Sequence, residues 1–140
     1  MILLDTNVIS ELMRESPDET VASWVDTEPA SGLYVTSISQ AEILLGIQLL
    51  PKGRRRDGIS AAAREMFEED FDGRILGFGS EAAPVYAMIC AARRSAGRPI
   101  SAFDAQIAAI ARSNGADFAT RNVGDFTGCG VRLINPWKHR

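Results

Sequence analysis

The chain opens on an apolar run, Met1-Ile2-Leu3-Leu4, stopped by Asp5. A short continuous run of this kind suits a strand buried on both faces. Val8, Ile9, Leu12 and Met13 then recur at helical spacing. The opening therefore reads strand, acidic residue, helix, with Asp5 at the strand's carboxyl end. Ser16-Pro17-Asp18-Glu19 predicts a second helix, with Ser16 as cap, Pro17 in the first helical position and Glu19 closing a capping box. Val21, Trp24 and Val25 supply its buried face, and residues 29–32 break it. Residues 33–36, rich in β-formers, predict a second strand.

Residues 40–50 follow as a helix that is apolar nearly all round, which predicts burial or a covering partner. The pattern over 59–71 predicts a helix with Ala61, Ala62, Met66 and Phe67 inward, and 74–78 a third strand. Ser80 and Glu81 open a long helix that ends at Gly97. Pro99 resets the chain, and Ser101 caps a helix over 102–113 that stops at Asn114-Gly115. Residues 117–120 and 131–134 complete the strands. Helices alternate with strands, with no repeat, low-complexity tract or linker. The expected fold is α/β, one domain over residues 1–140, with a mostly parallel central sheet of about five strands and helices on both faces.

Composition narrows the chemistry. At 140 residues, 46% apolar and 24% charged, the chain has ordinary globular composition and is long enough to bury a core unaided. No apolar run approaches the ~20 residues of a membrane span, and the N-terminus lacks a basic segment before its four apolar residues, so neither an anchor nor a signal peptide is expected. A cytoplasmic protein with Cys90 and Cys129 reduced is the expectation. The single histidine, His139, is the second-last residue. With no other histidine and no cysteine pair at ligand spacing, a structural zinc site and a Ser-His-Asp or Cys-His nucleophile are both disfavoured. No glycine-rich phosphate loop is present. If the protein is an enzyme, its working groups are carboxylates. A net charge of −3 argues against indiscriminate nucleic-acid coating. The clumped Lys52-Gly53-Arg54-Arg55-Arg56 and Arg93-Arg94 with Arg98 read first as solvated loops and second as phosphate contacts.

Placed on this map, Asp5 follows strand one, Glu42 lies in the first turn of the helix after strand two, Asp104 in the first turn of the helix after Pro99, and Asp125 beyond strand four. Each acid alone is explained by local capping: Asp5 precedes a helix, Ser39-x-x-Glu42 is formally a capping box, and Ser101-x-x-Asp104 is a near relative of one. Convergence of all four at one sheet edge is not explained that way, because mutual repulsion exceeds the ~0.3–1 kcal/mol that a helix dipole returns unless cations neutralise them. Oxygen ligands suit Mg²⁺ or Mn²⁺, which can activate water and offset charge on a phosphate.

The segments Leu4-Asp5-Thr6-Asn7-Val8-Ile9-Ser10-Glu11, Ala41-Glu42-Ile43-x-x-Gly46, Phe103-Asp104-Ala105-Gln106-Ile107-Ala108-Ala109 and Ala119-Thr120-Arg121-Asn122-x-x-Asp125-Phe126, in this order, resemble PIN-domain nucleases. The closing Leu133-Ile134-Asn135-Pro136-Trp137 is similar to the FitB-type branch of the VapC toxins. The resemblance covers nearly the whole chain. It implies a Rossmann-like PIN fold, a ribonuclease dependent on Mg²⁺ with Mn²⁺ as substitute, and an RNA substrate. It also implies a VapB/FitA-like antitoxin, a homodimer, and higher assembly with the antitoxin on operator DNA. Carried over by position, Asp5, Glu42 and Asp104 match the family's core acids, with Asp5 and Asp104 as direct metal ligands and Glu42 orienting or deprotonating water. Asp125 joins the catalytic set. Thr6, Asn7, Thr120 and Asn122 are expected to orient the acids or the water. Asn122 stands where some relatives carry Asp, and it brings no charge. Two other readings are compatible with parts of the sequence. A PIN-fold module without catalysis, acting with a DNA-binding partner, is favoured only by Asn122. A different Mg²⁺-dependent phosphohydrolase commonly wants Asp-x-Asp after strand one, where this chain has Asp5-Thr6-Asn7.

Overall fold

A computed structural model describes residues 1–139. Five strands, β1 (Ile2–Leu4), β2 (Leu33–Thr36), β3 (Ile75–Leu76), β4 (Asp117–Ala119) and β5 (Leu133–Ile134), form one sheet in the order β3-β2-β1-β4-β5, and every pairing is parallel. Six α-helices connect or flank them: α1 (Thr6–Leu12), α2 (Glu19–Thr27), α3 (Ser37–Gln48), α4 (Arg54–Glu65), α5 (Ala83–Ser95) and α6 (Ala102–Ser113).

Alternation along the strands splits the core in two. Leu4, Val35 and Ala119 join Val8, Ile9, Val21, Trp24, Ile43, Ile47 and Phe67 on one side. Leu3 and Phe118 join Ile89, Ile107, Ala108, Ile110 and Phe126 on the other. The sheet is thus covered on both faces, which is why β1 could be written without a polar break. The chain steps from β1 outward through β2 to β3, then returns to place β4 on β1's other side. The crevice between the ends of β1 and β4 is the topological switch point, where open α/β sheets hold ligands.

The expected elements form, with several starts displaced. Helix α2 is capped by Asp18, not Ser16: its carboxylate accepts the N–H groups of Thr20 and Val21 at 2.9 and 3.2 Å. Ser16 and Pro17 stay outside because the Asp18 N–H is bonded to the buried Glu11 carboxylate at 3.1 Å. Helix α3 begins three residues earlier than expected. The Thr36 hydroxyl caps it by accepting the Ser39 N–H at 3.0 Å, so the Ser39–Glu42 box does not form and Glu42 lies in the second turn. Helix α4 begins at Arg54, so the arginine run is its first turn rather than a loop. Its buried position is Ala63, with Phe67 and Phe71 buried just beyond its end, whereas Ala61 and Ala62 are exposed. A π-helical turn over Met66–Asp70 carries Phe71 inward. Ser101 caps α6 as expected, accepting the Asp104 N–H at 3.2 Å. Gly115 follows with φ +63°, a left-handed stop that glycine supplies without strain. Cys90 and Cys129 are both free thiols. Among the described residues, no helix is long and apolar enough to cross a membrane.

Candidate active site

The end of β1 delivers Asp5 into the switch point. Its main-chain N–H donates to Ala119 O at 2.9 Å, tying β1 to β4 one residue before the chain turns away. Its side chain caps α1, with Oδ1 accepting the Thr6 N–H at 2.8 Å. Oδ2 accepts the Thr120 hydroxyl at 2.8 Å, and the Asn7 amide lies 3.4 Å away. Capping and chemistry therefore share one carboxylate: the cap fixes the rotamer that faces the crevice.

Glu42 reaches the same place from α3. The Thr6 hydroxyl lies 2.9 Å from both Glu42 Oε1 and Ser39 Oγ, so its proton serves the carboxylate while the Ser39 hydroxyl can donate back to Thr6. Asp104 comes from the first turn of α6, held by Ser101. Asn122 completes the β4 side, its N–H donating to Thr120 Oγ1 at 3.1 Å. Together with Asn7, whose Oδ1 accepts the Arg121 N–H at 3.3 Å, these residues line a cleft of about 570 Å³.

Electrostatics mark the carboxylates of the cleft as incompletely neutralised. Burial pushes the Asp5 carboxyl up from 3.8 to about 6, opposed by the Thr120 and Thr6 hydrogen bonds and reinforced by the charges of Asp104 and Glu42. Asp104 is also raised, mainly by burial and then by Asp125, with the Ser101 bond and the Arg93 charge opposing. The ion pairs among the described residues are Arg14–Glu11 and Arg132–Asp117, and neither neutralises Asp5, Glu42 or Asp104. Hard oxygen donors, shared repulsion and no paired arginine or lysine fit a divalent cation. Among the described residues no group of three or more acidic, histidine or cysteine side chains stands close enough to hold a metal ion by itself. Mg²⁺ does not require one, since it keeps several waters and binds through one or two carboxylates.

Sequence position misjudges one acid. Asp125 does not line the cleft with Asp5, Glu42 and Asp104. It sits in the 3₁₀ turn Val123–Phe126, which buries Phe126 edge-on against Phe118 at 4.7 Å between ring centroids and leaves Asp125 exposed. Its charge is felt at Asp104 and is not among those acting on Asp5. The cleft also contains residues that were given no role on sequence grounds: Ser10, Glu11, Arg14, Arg121 and Trp137. Glu11 is a buried carboxylate that accepts from Asp18 N–H and pairs with Arg14 Nη1 at 3.2 Å. An acid with arginine three residues on is the usual signature of a helix ion pair, which is how it escapes attention.

The PIN domain family model matches residues 2–126. The chain belongs to the PIN-domain family. It is 39% identical over 137 residues to toxin FitB of Neisseria gonorrhoeae, covering 98% of this chain and 99% of the relative. It is 37% identical over 138 residues to VapC ribonuclease Y4jK of Sinorhizobium fredii, covering 99% of each. In the structure of FitAB bound to an IR36 DNA fragment, the matching chain superposes with a TM-score of 0.94 at 38% identity, covering 100% of this chain and 98% of that one. The parallel five-stranded sheet and its switch-point cleft are this family's fold.

Proposed function

We propose that this PIN domain is the toxin of a type II toxin–antitoxin module, an endoribonuclease that depends on Mg²⁺, with Mn²⁺ as a substitute. One observation carries the reading: Asp5, Glu42 and Asp104, far apart in sequence, share a single cleft at the switch point, and among the described residues no arginine or lysine forms a salt bridge with any of them. The likeness to a VapC ribonuclease and to toxin FitB supports it.

Asp5 and Asp104 would hold the cation, and Asn122 could add a neutral oxygen beside them. A bound Mg²⁺ supplies Lewis acidity toward the phosphate and eases deprotonation of the attacking water. Glu42, oriented by the Thr6 hydroxyl, takes that proton. Thr120 and the Thr6 N–H hold both oxygens of Asp5 so that the ligand does not rotate. Asp125 contributes only through its charge at Asp104.

Beside the cleft and sharing Thr6, Ser10, Arg14 and Glu42 with it lies a groove of about 840 Å³ between α1, α3 and α4, floored by Met13, Ile43, Ile47 and Ile59. It suits the antitoxin, a VapB/FitA-like partner, as the antitoxin-bound FitAB relative suggests. An arginine of that partner entering the acidic cleft would take the cation's place with bidentate bonds. The outer face of α3, with Leu44, Leu45 and Leu49 exposed at 42, 59 and 76%, serves a homodimer, and the antitoxin complex assembles on operator DNA. The protein acts in the cytoplasm.

Purified protein is expected to cleave RNA with Mg²⁺ or Mn²⁺ and to stop in EDTA. Cleavage that persists in chelator overturns the reading.

A further inference from the structure

At the β4–β5 lip of the cleft, the Arg121 guanidinium lies 5.0 Å from the centroid of the Trp137 indole, and both side chains line the same cavity as Asp5 and Asp104. The pair is anchored at each end. The Arg121 N–H donates to Asn7 Oδ1 at 3.3 Å, and the Trp137 N–H donates to Asn135 Oδ1 at 3.0 Å beyond the buried Pro136. The indole is partly buried against the first core cluster, while Arg121 is exposed. Arg121 forms no salt bridge among the described residues. A cation stacked over an indole gains roughly 0.5–1 kcal/mol at an exposed site.

We propose that Arg121 and Trp137 form a stacking platform for one nucleobase of single-stranded RNA, next to the phosphate cleaved at Asp5 and Asp104. Every base presents a π-face, and both indole and guanidinium planes accept one. The platform rests on the nuclease reading for its choice of substrate, but it makes a separate demand: recognition must depend on a base, not on phosphate alone.

The chain has two tryptophans, and Trp24 is only 1% exposed, so Trp137 is the one that RNA can reach. The test is quenching of tryptophan emission by a short single-stranded RNA in EDTA at low ionic strength, against the same oligomer carrying one abasic position moved along its length. Quenching is expected with the intact strand and lost at one abasic position. With binding read by the anisotropy of an end-labelled strand, Arg121→Ala and Trp137→Ala should each weaken affinity for the intact strand roughly five- to 100-fold, with Trp137→Phe restoring most of it. Neither alanine variant should alter affinity for the strand abasic at that position. Arg121→Ala guards against misfolding of Trp137→Ala, because Arg121 is exposed. Equal loss for intact and abasic strands would make Arg121 a phosphate contact and overturn the platform. Emission that follows protein concentration instead of RNA would place the pair in an interface between copies and overturn it too. RNA cleavage without base-dependent quenching sinks the platform alone, whereas base-dependent quenching without cleavage leaves it standing and sinks the nuclease.

Discussion

The Thr120 hydroxyl donates to Oδ2 of Asp5 at 2.8 Å, joining the first residue beyond β4 to the first residue beyond β1 across the switch point. Both groups are buried, so the bond is worth more than a surface contact and favours the ionised carboxylate. It is the largest influence holding the Asp5 carboxyl down against burial. Thr120→Val should therefore raise it further above about 6. If Asp5 must be ionised to hold the cation, the acid limb of the pH–rate profile should move up by about one pH unit, with little change above pH 8. An unmoved limb would separate Asp5 ionisation from catalysis.

Asp5→Asn tests the same strain through stability. The folded carboxyl titrates near 6 against an ordinary 3.8. It therefore binds a proton more tightly in the fold than in the unfolded chain. Its effect on stability is most favourable below pH 3.8, declines as pH rises to about 6, and is constant above that. The gap corresponds to about 3 kcal/mol at neutral pH. An amide forfeits part of the accepted hydrogen bonding, so a net gain of about 1–2 kcal/mol is expected for metal-free Asp5→Asn at pH 7, vanishing by pH 4. Urea denaturation at both pH values in EDTA measures it. A variant less stable at pH 7 than the parent would mean that the cap outweighs the repulsion.

Arg93 was legible only as half of an apparently solvated Arg93-Arg94 pair. It is instead buried in the second half of α5, with Nε donating to Arg98 O at 2.7 Å and Nη1 to Asp125 O and Thr127 O at 2.7 and 3.1 Å. It thus pins the turn that carries Asp125 and lends Asp104 a lowering charge. Arg93→Met strands three carbonyls and should cost about 3 kcal/mol. Arg93→Lys restores the charge without the forked donors and should recover less than half. A loss below 1 kcal/mol for the methionine variant in equilibrium unfolding would show that the turn holds itself.

What the sequence disclosed, and what it hid, divides along physical lines. β1, β2 and α6 were readable because an apolar run, a β-rich run and a serine cap each act locally. The start of α3 was not, because its cap, Thr36, also ends a strand and reads as a β-former. The start of α4 was not, because residues 52–58 contain no apolar side chain to set a helical phase. Asp5, Glu42 and Asp104 were findable from their places near element junctions, whereas Glu11, also in the cleft, was not. Asp125 depended on the phase of a 3₁₀ turn, and the Arg121–Trp137 stack joins two loop residues whose meeting no periodicity announces.

Asn122 decides how much cation the cleft can hold. It lines the cleft with Asp5 and Asp104, is exposed, and is placed by its own N–H bond to Thr120 Oγ1. As an amide it adds an oxygen without charge, so it does not worsen the repulsion that already lifts Asp5 and Asp104. Asn122→Asp keeps the shape and adds a further negative group at the lip. Without metal, the variant should be less stable at pH 7 by about 0.5–1 kcal/mol, and the difference should shrink as pH falls through the carboxylate range. With metal, the sign reverses: Mn²⁺ should bind about ten-fold more tightly or with a second site per chain. Calorimetric titration with Mn²⁺, paired with melting in EDTA, reads both halves. Unchanged affinity and stoichiometry, with unchanged stability, would put position 122 outside the cation's reach and leave Asp5 and Asp104 as the whole ligand set.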